Sequence, residues 1–445
     1  MINEFDPSAS QATLSDRALV DLLERRSRVL GPSYKLFYDQ PIHFVRGEGV
    51  RLFDHQGRAY LDVYNNVPAV GHCHPKVVEA IAQQSATLNT HTRYLSEIII
   101  NYAEKLVATF PAALSKVMFT CTGSEANDLA FRVAHEYTGN EGLIVTRNGY
   151  HGITAAVAEA SPSLGSGVPL GKHVRTVPAP DAFRIGEAGV AEQFERSVRE
   201  AVNDLQRHGM RPAALIFDTI FSSDGVLSEP PGFIQGAVRA VRDAGGLFIA
   251  DEVQPGFGRT GETMWGFQRH SVEPDIVTIG KPMGNGMPIA GMLASPELLA
   301  GFALKARYFN TFGGNPVSCA AALATLEVIQ EESLQENARV VGAYLRQGLS
   351  ELAQEYEQIG DVRGAGLFIG VDIVRDHRDL SPNPDFALAL VNRLRELYVL
   401  ISASGPDGHA LKIRPPLVFS KTDADEFLDK MRRAIIDVRD ARCCA

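Results

Sequence analysis

Two apolar runs in this 445-residue chain end on residues that are seldom buried. LFIADEVQPGFGRTG (247–261) finishes in Asp251 and Glu252 before a glycine-rich loop, and DIVTIGKPMGNGMPIAG (275–291) finishes in Lys281, Pro282 and a run of glycines. Ligands of an open α/β sheet collect at the carboxyl ends of its strands, so a carboxylate or amine placed there faces a pocket. Desolvation is costly for an ammonium unless it is paired or used. It also lowers the proton affinity of the amine, which makes a nucleophile able to form a Schiff base. Lys281 and Asp251 together imply an imine-forming lysine and an acid that keeps a pyridinium nitrogen protonated.

Such a site needs a phosphate holder. FTCTGSEANDLAFRVAH (119–135) reads as a strand, a turn and a helix start, where Gly123 and the Ser124 hydroxyl would meet an anion at free backbone N–H groups. Tyr150, His151 and Gly152 follow the LIVTRN strand, where an aromatic ring could stack on a flat cofactor. The turn NTFGGNP (310–316) offers Thr311 as a further phosphate donor.

The elements that position these residues come next. KVMFT (116–120), LIVT (143–146), ALIF (214–217), LFIAD (247–251) and DIVTIG (275–280) are short apolar runs without alternation, several of them separated by helical segments. That pattern predicts strands buried on both faces in a mostly parallel sheet flanked by helices. Upstream, residues 15–31 predict a helix with Ser15 as N-cap, and 50–63 predict two strands joined by the Asp54–Gly57 turn. Beyond 315 come two long helices, the strand GLFIGVDIV, a helix around 385–398, the extended KIRPPLVF (412–419) and a helix opened by Lys421. The division expected is α/β throughout: a large domain over 76–315, and a smaller lobe built from 1–75 and 316–445.

Bulk composition narrows the function class. A net charge of -10 argues against a nucleic-acid or anionic-membrane surface, and no apolar run approaches bilayer length. The five cysteines are scattered, without disulfide or zinc-ligand spacing, and the leading MINEFDPSASQ is polar and acidic. A reducing cytosol and a soluble enzyme without metal are the expectation.

GHCHP (71–75), TGSEAN (122–127), YHG (150–152), ADEVQPGFGRTG (250–261), GKPMGNGMP (280–288) and FNTFGGNP (309–316) together resemble the class III aminotransferases, a fold-type I family dependent on pyridoxal phosphate. The resemblance runs from about residue 33 to 435. It implies Lys281 as the Schiff-base lysine and proton carrier, Asp251 on the pyridine nitrogen and Gln254 on the ring oxygen. It further implies Gly123 and Ser124 in the phosphate cup, Tyr150 and His151 beside the ring, and Thr311 reaching in from the neighbouring subunit. A homodimer with shared sites follows, which pairing of dimers could extend to a tetramer.

The chain departs from the family pattern at two places. Asp218-Thr219 stands where many relatives have Glu-Pro, and Lys412 stands where α-amino-acid transaminases often carry an arginine for the substrate carboxylate. YNNVPAVGHCHP, LNTHTRYLSE and LKIRPP are similar to the ethanolamine-phosphate and phosphohydroxylysine phospho-lyases. Asn65, Arg93, Lys412 and Arg414 are then the substrate-side candidates, the last three as a cationic pocket. The leading expectation is transfer of the amino group of a primary amine or ω-amino compound to an oxo acid such as pyruvate. The alternative is elimination of phosphate from a phosphoamine such as ethanolamine phosphate.

Overall fold

The computed structural model describes residues 16–378 and 380–443. Its centre is a seven-stranded sheet: β1 (Lys116–Thr120), β2 (Gly142–Thr146), β3 (Val174–Val177), β4 (Pro212–Asp218), β5 (Leu247–Asp251), β6 (Ile276–Ile279) and β7 (Ala290–Ala294). The order across the sheet is β1-β7-β6-β5-β4-β2-β3, parallel except for β7, which runs antiparallel to both β1 and β6. Every residue of β2, β4, β5, β6 and β7 is buried.

The lack of alternation in these runs has a physical cause, since both faces are covered. Ile144, Leu215, Phe217, Phe248 and Val277 pack into one core, while Leu143, Val145, Ile216, Ile249 and Met292 pack into another on the opposite face. Truncating any one of these to alanine removes about 2–5 kcal/mol in typical cores, which is what makes the sheet a rigid base. All five expected strands are present. The two unforeseen ones have weak signals: β3 carries the half-exposed Arg175 and Thr176, and β7 is AGMLA, poor in β-branched residues.

Both chain ends join a second sheet. The hairpin Arg51–Asp54 and Ala59–Asp62 is extended by Phe44–Glu48 on one side and, in parallel, by Val399–Leu400 on the other. A third, antiparallel sheet holds Ile359–Ala365, Phe368–Ile373, Ala410–Ile413 and Ser402–Ser404. The expected extended segment 412–419 is a strand only to Ile413, because Pro415 and Pro416 have no N–H to continue the ladder. The helices Leu334–Glu355 and Pro384–Glu396 pack on these sheets, Lys421–Cys443 packs on both of those helices, and Pro316–Glu331 packs on Pro75–Thr87 and Glu97–Val107. The N-terminal helix spans Arg17–Val29 and is capped by Asp16, which accepts from the N–H groups of Ala18 and Leu19; Ser15 lies outside the described residues. Among the described residues, no helix is long and apolar enough to cross a membrane.

Candidate active site

Strand register assembles the site. Asp218 pairs with Asp251 across β4 and β5, and Asp251 pairs with Thr278 across β5 and β6. The carboxyl ends of three buried strands therefore stop side by side, and Lys281 follows Thr278 by one turn. A cavity of about 240 Å³ opens there, lined by Gly123, Ser124, Tyr150, His151, Asp218, Asp251, Gln254 and Lys281 among others. All the expected cofactor residues except Thr311 meet in it.

Helix α1 (Gly123–Thr138) points its start at this cavity. Thr122 caps it: the Thr122 hydroxyl accepts from Glu125 N at 3.1 Å, while the Glu125 carboxylate accepts from Thr122 N at 3.0 Å and Cys121 N at 2.7 Å. That exchange satisfies the flanking donors and leaves the N–H groups of Gly123 and Ser124 at the open helix end, where an anion is favoured. Ser124 Oγ accepts from Ile153 N at 3.0 Å, which ties the cup to the Tyr150–Gly152 loop. Gly152 has φ +138°, and a Cβ there would come within 2.7 Å of Ser124 Cα, so this contact needs glycine.

Asp251 is 3% exposed and held from three sides. Its Oδ2 accepts from Asn127 Nδ2 at 3.1 Å and lies 2.8 Å from His151 Nδ1, and its Oδ1 accepts from Val253 N at 3.2 Å. Thr278 Oγ1 donates to Asn127 Oδ1 at 2.7 Å, and Asn127 also donates to the His151 carbonyl at 2.7 Å. Asn127 and Thr278 are functional residues that sequence reasoning missed. The available signal was spacing: Asn127 falls one helical turn after Gly123, on the face that carries the cup.

Lys281 adopts a left-handed backbone, φ +42°, at the head of a 3-10 turn. Burial, reinforced by the positive charge of Arg414, pushes its ammonium down to about 8, against the pull of Asp251 and Asp218. Asp218 accepts from Ile220 N at 3.0 Å and Ser222 N at 2.9 Å, and burial raises its proton affinity.

Lys412 and Arg414 are two residues apart at the end of the strand Ala410–Ile413, and only 6% and 7% exposed. Arg414 donates to Gln254 Oε1 and lies 4.5 Å over the Tyr64 ring. Gln254, expected on a cofactor ring oxygen, is thus engaged with Arg414 and, through Nε2, with Ser222 Oγ at 2.6 Å. Among the described residues, neither Lys412 nor Arg414 forms an ion pair with a carboxylate. Burial, then the charge of Arg414, lowers the proton affinity of Lys412 well below its ordinary value.

Neither Thr311 nor any of the substrate-side candidates lines this cavity, although Arg414 meets its wall at Gln254. Asn65 turns its amide to both oxygens of Asp62 at 3.1 Å, because that buried carboxylate takes the donors of its turn. Arg93 is exposed and stacks 3.8 Å over the Phe309 ring. Thr311 is exposed in the neighbouring turn, so neither residue reaches the cavity of its own chain.

A helix start for phosphate, a buried carboxylate for a ring nitrogen, a ring above and an amine of lowered basicity fit pyridoxal phosphate. The comparisons with known proteins agree. The family model described as aminotransferase class III matches residues 36–435. An alanine–glyoxylate aminotransferase 2-like protein of Drosophila melanogaster is 40% identical over 95% of this chain and 88% of its own. Ethanolamine-phosphate phospho-lyase homolog 1 of Caenorhabditis elegans is 37% identical over 96% of this chain and 97% of its own. A phospholyase from Arthrobacter, solved in complex with phosphoethanolamine, superposes with TM-score 0.90 at 46% identity, covering 94% of this chain and 99% of that one. The chain belongs to the class III aminotransferases, enzymes that depend on pyridoxal phosphate.

Proposed function

We propose that the enzyme eliminates phosphate from a small primary amine carrying a phosphate monoester, with phosphoethanolamine as the model substrate. One water is consumed, and inorganic phosphate, ammonia and a carbonyl compound are released. The observation that carries this reading is the pair Lys412 and Arg414, two buried basic groups that form no ion pair with a carboxylate among the described residues and feel Asp218 and Asp224 only at longer range. Buried charges are costly when unpaired, so a ligand that supplies the counter-charge is expected. A phosphate dianion balances two cations, whereas a carboxylate balances one. Lys412 is a point charge, which suits phosphate, and lacks the planar fork that suits a carboxylate.

Pyridoxal phosphate, when bound, supplies an electron sink for negative charge at the carbon that bears the substrate nitrogen. The chain's own groups do the rest. Gly123 and Ser124 would hold the cofactor phosphate, and Asp251, oriented by Asn127 and His151, would face the ring nitrogen. Lys281, part neutral near pH 8, anchors the cofactor and carries the proton at the reacting carbon. Arg414, set by Gln254, and Lys412 orient the departing phosphate.

The active form is proposed to be a homodimer. Leu95 (97% exposed), Phe312 (69%) and Tyr94 (65%) are exposed apolar neighbours of Arg93 and Thr311 on two segments that meet where Arg93 and His91 contact Phe309. Burying them against a second copy would bring Thr311, and Arg93 with it, toward the partner's cavity. Cytoplasmic residence is proposed from the free thiols of Cys73, Cys121 and Cys319.

The second reading, amino transfer to an oxo acid such as pyruvate, is favoured by the family and by the aminotransferase named among the relatives. One assay separates the two: cofactor-loaded enzyme given phosphoethanolamine without any oxo acid. Catalytic release of phosphate with equal ammonia supports elimination. Absence of phosphate release, with amine consumed only when pyruvate is added, establishes transfer instead.

A further inference from the structure

Arg259 is a buried cation that the chemistry above leaves unused. It is 1% exposed, and no carboxylate pairs with it among the described residues. Its Nη1 donates to two backbone carbonyls, Leu367 at 3.1 Å and Pro415, and its Nη2 has no hydrogen-bond partner among the described residues. Its own carbonyl accepts from Leu367 N at 3.1 Å. Burial, aided by the positive charge of nearby Arg414, pushes the guanidinium down to about 9. A buried arginine spent on carbonyls is an expensive way to fill space, since an apolar side chain of similar volume often does as well or better.

The two carbonyls are informative because of their chain neighbours. Leu367 precedes Phe368, whose ring centre lies 5.7 Å from Lys412 Nζ and 6.0 Å from Arg414 Cζ. Pro415 follows Arg414, whose own N–H donates to Val63 O at 2.9 Å. Arg259 therefore fixes the ring beneath both anion-binding cations and the backbone that carries one of them. Its loop also starts at Asp251 and includes Gln254, which receives the Arg414 head group. Arg414 is thus gripped twice from one loop, at its side chain by Gln254 and at its main chain by Arg259. The approach is close: Gly366 has φ +54°, and a Cβ there would sit 2.5 Å from Arg259 O.

We infer that Arg259 is the positioning residue that sets Lys412 and Arg414, and hence the substrate phosphate, at a fixed place relative to the cofactor. This rests on the phosphate-elimination reading and deepens it. Arg259 does not line the cofactor cavity, so its effect falls on anion recognition and not on cofactor loading.

The test compares Arg259→Met and Arg259→Lys with wild type as cofactor-loaded enzymes. Inorganic phosphate is the binding probe by calorimetry, KM is measured for phosphoethanolamine, and cofactor affinity comes from absorbance titration. The expected result for Arg259→Met is a phosphate Kd and a KM each raised about tenfold or more, with cofactor affinity within about twofold, because two hydrogen bonds to the platform are lost. Arg259→Lys, which can still reach a carbonyl, restores part of the affinity. If Arg259→Met fails to fold, Arg259→Lys carries the test, with at least a threefold rise in phosphate Kd at unchanged cofactor affinity. Unchanged phosphate binding, or parallel loss of phosphate and cofactor affinity, overturns the inference. Arg414→Lys is the control: if it also leaves phosphate binding unchanged, the anion-pocket reading itself has failed. If Arg414→Lys weakens phosphate and the Arg259 variants do not, only the role of Arg259 falls.

Discussion

His151 Nδ1 and Asp251 Oδ2 stand 2.8 Å apart, and the same oxygen takes the Asn127 amide at 3.1 Å. The Asp251 carboxylate is therefore aimed by two groups that are themselves anchored, His151 through its backbone N–H on Ser161 Oγ and Asn127 through Thr278. Asn127→Ala leaves Asp251 and the Thr278 hydroxyl each short of a partner. Breaking such buried bonds costs about 1–3 kcal/mol, or roughly five- to 150-fold in an equilibrium constant. Cofactor affinity, followed by absorbance titration of the apoenzyme, should fall by that factor. A change below twofold would sink the idea that Asn127 orients Asp251.

Lys281 gives a pH prediction. Only the neutral amine attacks a carbonyl, and burial beside Arg414 brings its proton affinity down to about 8. Cofactor attachment to the apoenzyme should then quicken about tenfold per pH unit below 8 and level off above it. An ordinary lysine would still be accelerating near pH 10. Rapid mixing of apoenzyme with pyridoxal phosphate across this range reads the plateau directly.

The strands and most cofactor residues were legible in the sequence because buried parallel strands leave unbroken apolar runs, and polar residues at their ends are conspicuous. LFIAD and DIVTIG announce β5 and β6, and with them Asp251 and Lys281. What stayed hidden was pairing. Nothing local in the sequence says that Asp218 lies opposite Asp251 or that Gln254 meets Arg414, contacts made between segments up to 160 residues apart. Asn65, a substrate-side candidate, shows how a local contact can also stay hidden: its amide goes to Asp62, buried three residues earlier.

Asp224 offers a test on stability. Its carboxyl accepts from Thr146 Oγ1 at 2.8 Å and Asn148 N at 3.2 Å, yet burial pushes it up to about 7. In the unfolded chain it ionises near 4, so between about 4 and 7 the folded protein binds the extra proton and loses stability as pH rises. The slope is up to about 1.4 kcal/mol per pH unit. Asp224→Asn carries no such charge. The difference in Tm, variant minus wild type, should therefore widen from pH 4 to pH 7 and stay constant above. A difference independent of pH would show that Asp224 is ionised throughout.

Gly152→Ala tests the cup. A methyl group would press on Ser124, and φ +138° is a backbone state that alanine avoids. The loop must shift away from the start of α1, taking Tyr150 with it. The expected outcome is a loss of about 1–3 kcal/mol in stability and a clear drop in cofactor affinity. Thermal melts of apo and cofactor-loaded protein check it, since the stabilisation by cofactor should shrink. An unchanged holo-minus-apo difference would clear Gly152 of any part in the cup.

Lys412 separates recognition from folding most sharply, because the two are expected to move in opposite directions. Its buried ammonium forms no ion pair among the described residues, and the charges of Asp218 and Asp224 offset only part of the burial, so in the free enzyme its charge is a cost. Methionine has nearly the same length and no charge. Lys412→Met should raise Tm, by an amount equivalent to about 1–4 kcal/mol at most, since replacing buried charge by apolar volume is often stabilising. The same change removes one of two counter-charges for a phosphate dianion, and KM for phosphoethanolamine should rise about tenfold or more. A residue retained only for packing would lose stability on substitution and leave KM alone. A rise in both Tm and KM marks a charge kept for its ligand at the expense of the fold.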